Sequence, residues 1–303
     1  MSPNIIVDTQ KRVAAHLVGR EREIELTLAA VAANRDILLE GPPGTSKTTM
    51  LKAITTEWGI PLLFVEGNAD LTPAKLVGHH NPARVLREDY SADNFVAGPL
   101  VEAMQRGGFL YIEEFNRAPE DTLNTLLTAM ADRAIAVPRV GTIVAAPTFR
   151  VIASMNPYDN VGTTRLSTSV YDRLNRLAID YQDEPAERGI VTLRTQATDG
   201  LAERLVADAV SVTRATRRHP DVRQGSSVRG AIDCVLVALQ LALLRHLRSV
   251  DDEGYPELVY DAMTVSLSGR IHLDEAAGNT PERVLREIWE NRFVLEPAIA
   301  EPG

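Results

Sequence analysis

The chain has 303 residues, 45% of them hydrophobic and 24% charged, with a formal net charge of −9. That length exceeds a single small core and suits two domains, while the acidic balance argues against a general nucleic-acid binder, which needs a basic face to release counterions. The lone cysteine, Cys234, excludes an internal disulfide framework and fits a reducing, cytoplasmic setting.

The opening MSPNIIVDTQ lacks the basic and apolar regions of a secretory signal. Residues 36–40, DILLE, form an apolar run ending at a glycine and predict a buried parallel strand. The loop GPPGTSKT follows, and TTMLKAITTEWG predicts a helix stopped by Gly59. Further strands are expected at 62–67 (LLFVEG), 108–114 (GFLYIEE), 150–157 (RVIASMNP) and 176–181 (RLAIDY). Helical patterns separate most of them, which implies a parallel sheet covered on both faces. Residues 134–149 read as a hairpin of two β-rich runs flanking Gly141, inserted before the fourth strand. The polar joint QDEP at 182–185 then changes the pattern to helix-dominated sequence. The expected organisation is an α/β nucleotide-binding domain over 1–182 and a helical lid over 183–303. VLVALQLALL (235–244) is shorter than the roughly 20 residues of a membrane span and reads as a buried lid helix. The arginines of RATRRH (214–219) read as either a solvated helix end or a local basic strip.

The loop carries the clearest chemistry. Gly41, four residues, Ser46, Lys47 and Thr48 give phosphate-loop spacing, between a strand and a helix as the motif requires. Small residues let backbone N–H groups curl around phosphate oxygens, and the helix N-terminus adds a favourable dipole. Lys47 would bridge the terminal phosphates, and the Thr48 hydroxyl would bind Mg²⁺. Gly41, Pro42, Pro43, Gly44, Thr45, Ser46, Lys47, Thr48 and Thr49 are the candidate triphosphate-binding residues; a plain glycine-proline turn is the alternative. Ser46 stands where glycine is usual, and fits if the backbone there needs no positive φ.

Glu113 and Glu114 end an apolar strand, where the ligand crevice of such sheets lies. The first could hold Mg²⁺ through water, and the second could orient or deprotonate an attacking water. Alone they would read as an exposed acidic strand end. Asn156, also at a strand end, could position water or touch the γ-phosphate, or initiate a turn before Pro157.

In chain order, LVGRE (17–21), LLEGPPGTSKT (38–48), residues 98–130 with the segment EEFNRAP, VIASMNP (151–157), STSVYDRL (167–174) and GSSVRGAI (225–232) resemble the MoxR-type AAA+ ATPases. The resemblance covers about residues 18–247. It departs at Ser46, where alanine is common in that family, and at Glu113, where Asp is usual. It implies ATP as the nucleotide, with Mg²⁺, and a ring, six copies being the expected number. It places Val18 at the adenine and Asn156 as a first sensor. Arg173 becomes an arginine finger offered to a neighbouring subunit, with Arg165 and Arg176 as competitors and a surface ion pair as the alternative. Arg229 becomes a second sensor. Lying between the fourth and fifth strands, Arg173 is expected beyond the ligand edge of the sheet, pointing away from its own loop. The 134–149 hairpin matches the family's insert, and LTPAKLVGHH (71–80) matches a segment that can face a ring's pore. His79 and His80 there read as loop histidines rather than metal ligands. The function implied is a chaperone-like remodelling, maturation or assembly factor working with a von Willebrand factor A domain protein and a protein client. A nucleic-acid-acting motor and a nucleotide-gated scaffold with little turnover are the rival readings.

Overall fold

The computed structural model describes residues 3–88, 90–158 and 166–295. The chain divides into two compact units, residues 1–42 with 46–180 and residues 43–45 with 181–303.

The first unit is built on five parallel strands. They are β1 (Ile37–Glu40), β2 (Leu62–Glu66), β5 (Phe109–Glu113), β8 (Arg150–Met155) and β9 (Asn175–Ala178), in the spatial order β2-β5-β8-β1-β9. β1, β2, β5 and β8 start or stop one or two residues inside their expected ranges, while β9 begins one residue before its range and stops three residues short of its end. Asp36, for example, precedes β1, because its carboxylate is taken by the Val151 N–H at 2.7 Å. Helices cover both faces: α1 (Pro3–Ala14), α2 (Glu21–Ala32) and α3 (Lys47–Trp58) on one, and α4 (Pro73–Val77), α6 (Pro99–Arg106) and α7 (Glu120–Asp132) on the other, with α5 (Pro82–Glu88) and α8 (Thr168–Arg173) completing the unit. The strands show why both faces must be covered. Ile37 and Leu39 of β1 enter the core beneath α1, α2 and α3, and Leu38 enters the opposite one. Phe109 and Tyr111 of β5 likewise face away from Leu110 and Ile112. Period-two alternation with apolar residues on both sides makes a strand read as a continuous hydrophobic run.

Two short ribbons stand off the sheet. β3 (Gly78–His80) pairs with β4 (Phe95–Ala97), so His79 and His80 lie in a strand rather than a loop. The expected hairpin is present as β6 (Ala134–Val137) and β7 (Gly141–Val144). Its turn falls on residues 138–140, and Gly141 opens the second strand instead of separating the two.

The second unit packs α9 (Glu184–Thr195), α10 (Gly200–Thr216), α11 (Val228–Leu244), α12 (Tyr255–Leu267) and α13 (Pro281–Glu290), with a small ribbon of β10 (Val222–Gln224) and β11 (His272–Leu273). α11 corrects the expectation of a buried helix. Its inner face is made of small side chains, Ala231, Cys234, Val235, Ala238 and Ala242, which allow close packing. Leu243 and Leu244 turn outward, 70% and 76% exposed. Cys234 is buried, and burial pushes its thiol up to about 12.

Of the RATRRH arginines, Arg218 is exposed, as in a solvated helix end, while Arg214 and Arg217 turn inward. The buried Glu187 carboxylate takes Arg214 at 2.9 Å and Arg217 at 2.8 Å, and Arg217 also lies over the Tyr181 ring at 3.9 Å. Both charges are spent inside this unit.

Candidate active site

Register brings the strand ends to one edge. Glu40 lies beside Met155 on one side and Ala178 on the other, and Glu66 lies beside Glu113. The residues that follow, Gly41, Gly67, Glu114 and Asn156, therefore leave the sheet along the same C-terminal edge. The Gly41 N–H donates to Met155 O at 3.1 Å. A Cβ at Gly41 would fall 1.9 Å from Ile179 O, so only glycine fits at the root of the loop.

The loop turns through two left-handed residues, Gly44 (φ 74°) and Ser46 (φ 66°, ψ 15°). The condition set for Ser46 is not met, because the backbone there does take a positive φ. A residue with a Cβ pays about 1–2 kcal/mol for this conformation. Ser46→Gly is therefore expected to keep nucleotide affinity and to raise stability by up to about 1 kcal/mol, the relief being offset partly by a more flexible unfolded chain. Ser46→Val should destabilise instead, since a β-branched residue suits this region least. Thermal unfolding of the two variants with and without nucleotide checks both signs.

Lys47, the first residue of α3, is buried, and its ammonium donates to the carbonyls of Gly41 and Pro42, each at 2.8 Å. Thr48 follows with its hydroxyl donating to Glu113 Oε1 at 2.9 Å. The two residues come from α3 and β5, 65 positions apart in sequence. The extra methylene of glutamate does not carry the carboxylate out of reach of the loop. Pro43 and Thr49 are exposed, and Thr45 is buried.

Two side chains at this point were not singled out from sequence. Tyr111 OH shares hydrogen bonds with Thr48 Oγ1 at 3.1 Å and Ser154 Oγ at 2.9 Å. Burial pushes the phenol up to about 12, so it stays a neutral hydroxyl. Tyr111 stands two residues before Glu113 on β5 and hence on the same face. A polar tip within an otherwise apolar strand was the available signal.

Glu114 is also in the left-handed region (φ 52°, ψ 42°) and pairs with Arg117 at 3.0 Å, both side chains being well exposed. Ser46 and Glu114 thus place two strained, non-glycine residues along one edge of the sheet, where such conformations cluster in functional sites. Asn156 Oδ1 accepts the Tyr158 N–H at 3.2 Å, which is the turn bond foreseen before Pro157.

The arginine expectations fare differently. α8 ends at Arg173, and β9 begins two residues later with Asn175 N donating to Asp36 O at 2.9 Å. Arg173 therefore sits at the start of the strands, on the edge opposite the phosphate loop, and not beyond the ligand edge. The reason is the crossover: a helix leading into a parallel strand must end at that strand's N-terminal side. Arg173 is exposed and donates to Ser169 O at 3.1 Å. Arg176 is paired with Glu40 on the adjacent strand. Arg165 lies outside the described residues. Val18 is exposed in the turn between α1 and α2, and Arg229 is exposed in the first turn of α11.

Residues 36–174 match the AAA domain of the dynein-related subfamily. This domain is an AAA+ ATPase domain. The matched span runs from the start of β1 through α8 and so includes the phosphate loop and the Glu113–Glu114 strand end. Over a longer stretch, the gas vesicle ATPase GvpN of Ancylobacter aquaticus is 28% identical across 320 residues, covering 96% of this chain and 84% of its own. The uncharacterized protein YeaC of Bacillus subtilis (strain 168) is 27% identical across 305 residues, 90% of this chain and 89% of its own. The AAA+ fold recurs in a provisionally designated ATPase of Cytophaga hutchinsonii ATCC 33406, with a TM-score of 0.51, 21% identity, and 94% and 93% of the two chains covered. It recurs also in the Thermotoga maritima RuvB Holliday junction branch migration motor, with a TM-score of 0.51 and 18% identity over 82% of this chain and 70% of that one. No helix among the described residues is long and apolar enough to cross a membrane.

Proposed function

We propose that this AAA+ ATPase is of MoxR type and acts as a chaperone-like remodelling, maturation or assembly factor, in a ring of six copies. The observation that carries the catalytic part is the 2.9 Å contact between Thr48 and Glu113, which joins the phosphate loop to the acidic strand end. In this reading the loop residues from Gly41 to Thr49 cradle the triphosphate of ATP, and Val18 borders the adenine. Lys47 exchanges its two carbonyl partners for phosphate oxygens. Thr48 and Glu113 present a hydroxyl and a carboxylate, the hard oxygen donors that suit Mg²⁺, and are the residues that would hold it. Mg²⁺ would supply charge neutralisation on the phosphoryl oxygens. Tyr111 and Ser154 hold the Thr48 hydroxyl in place. Glu114 orients and deprotonates the attacking water, for which its carboxylate must leave Arg117. Asn156 supports the same water or the γ-phosphate through its amide nitrogen.

Residues 183–303 are proposed as the lid, with Arg229 as the second sensor. The remodelling role draws on the chain-ordered motifs and on a relative, aligned over nearly the whole chain, that is an ATPase named for a cellular structure. A von Willebrand factor A domain protein and a protein client complete the proposal, with the cytoplasm as its setting.

Glu114→Gln is the variant that tests the chemistry. It is expected to bind ATP normally and to release phosphate ~10²-fold or more slowly, the scale of losing a general base. Steady-state phosphate release, with a fluorescent ATP analogue for affinity, measures both. Near-normal turnover would remove Glu114 from its role, and a larger loss in Glu113→Gln with binding intact would exchange the two. The same Glu114→Gln protein, held in the ATP state, is the form with which to capture a client.

A further inference from the structure

The opposite edge of the sheet holds a second concentration of charge. A cavity of about 470 Å³ opens there, at the start of β1 and β8. Four arginines from four separate elements line it: Arg35 after α2, Arg133 closing α7, Arg150 opening β8, and Arg173 ending α8. Among the described residues lining it, the one carboxylate is Asp36. That carboxylate is already engaged by the Val151 N–H at 2.7 Å, and burial raises its pKa above the ordinary value.

Arg150 is the telling member. It is 3% exposed, yet its buried Nε has no hydrogen-bond partner. Its Nη1 is turned to the carbonyls of Pro147, at 2.8 Å, and Phe149. Burial, and then the like charge of Arg133, push its pKa below the ordinary guanidinium value, with Asp36 offsetting part of the shift and Arg35 adding to it. Arg150 is thus a buried cation beside the like charges of Arg133 and Arg35, a costly state that an anion in the cavity would relieve.

We propose that this cavity is a second phosphoryl-binding site, separate from the phosphate loop, which takes the phosphate chain of a di- or triphosphate. The choice of a phosphoryl group over a carboxylate follows from number. Arginines brought from four elements to one cavity match an anion with three oxygens and up to two charges better than one with two oxygens and a single charge. The volume lies within the usual range of small-ligand sites, about 300–1,000 Å³, and has room for more than one phosphoryl group. The phosphate could be free in solution or carried by the nucleotide of another copy. The inference stands on this edge alone and does not require the ring.

The test is isothermal titration of the Lys47→Ala chain, whose own loop is disabled, with inorganic pyrophosphate at constant ionic strength. Saturable binding of one equivalent is expected. Arg35→Ala and Arg133→Gln, each added to that chain, should weaken it at least about tenfold, the loss of one charge-assisted contact. Arg84→Ala, which removes a positive charge elsewhere, should leave it unchanged. Arg150 is kept intact because it holds two carbonyls of the core edge. A second arm titrates the Lys47→Ala chain with unaltered chain loaded with a non-hydrolysable ATP analogue. Association lost in Arg35→Ala, without pyrophosphate binding in the first arm, assigns the phosphate to a neighbouring copy. Absence of saturable binding in both arms, or binding indifferent to Arg35→Ala and Arg133→Gln, overturns the site.

Discussion

Lys47→Ala protein is expected to keep its fold and lose tight ATP binding, by ~10²-fold or more in affinity. The size of the effect follows from what the ammonium does. It is the single point charge the loop offers to a triphosphate, and hydrogen bonds between charged groups are worth about 1.5–3 kcal/mol each. Contact with two phosphates therefore accounts for at least two powers of ten. The ammonium is also held in place, buried and donating to Gly41 O and Pro42 O, so little ordering is needed when phosphate oxygens replace the carbonyls. Fluorescent-nucleotide titration gives the affinity, and circular dichroism confirms that the variant is folded. Unchanged affinity would mean that the loop is not the nucleotide site.

The parts of this site that could be read from sequence are those that local spacing determines. Gly41, Ser46, Lys47 and Thr48 lie within eight residues, and their geometry follows from a strand, a tight loop and a helix start. Strands β1 and β5 were legible because they are buried on both faces and read as unbroken apolar runs. Tyr111 and Ser154 were hidden for the same reason. In such runs a polar group looks like noise until register brings it beside Thr48. The left-handed turn at Ser46 was equally out of reach, since serine gives no sign of φ. α11 was misread because its composition is apolar all round, while packing against α10 and α12 selects the small residues and leaves Leu243 and Leu244 outside. The pairing of Arg214 and Arg217 with Glu187 depends on a tertiary contact across about thirty positions, which no local pattern records.

Arg173→Ala is expected to bind ATP nearly as well as the unaltered protein and to hydrolyse it ~10³-fold or more slowly, the scale of losing an arginine finger. Its position explains why the partner must be another copy. β1 alone spans four residues, about 13 Å at the usual rise, between the edge that carries Arg173 and the edge that carries the phosphate loop. One side chain does not bridge that gap within the same sheet. Arg176 is a weaker candidate because Glu40 already neutralises it. An arginine finger suits such an edge: it stays charged and can meet the charge that develops on a transferring phosphoryl group only when two copies associate. Hydrolysis would then report on the arrangement of subunits, which is what a remodelling ring requires.

Mixing measures this directly. Arg173→Ala protein and Glu114→Gln protein, each inactive alone, are combined, and phosphate release is followed while mass photometry records mixed assemblies. Some interfaces then hold an intact Glu114 on one side and an intact Arg173 on the other, so part of the ATPase activity is expected to return. Activity that stays at background while mixed assemblies form would contradict a site completed by a neighbouring copy.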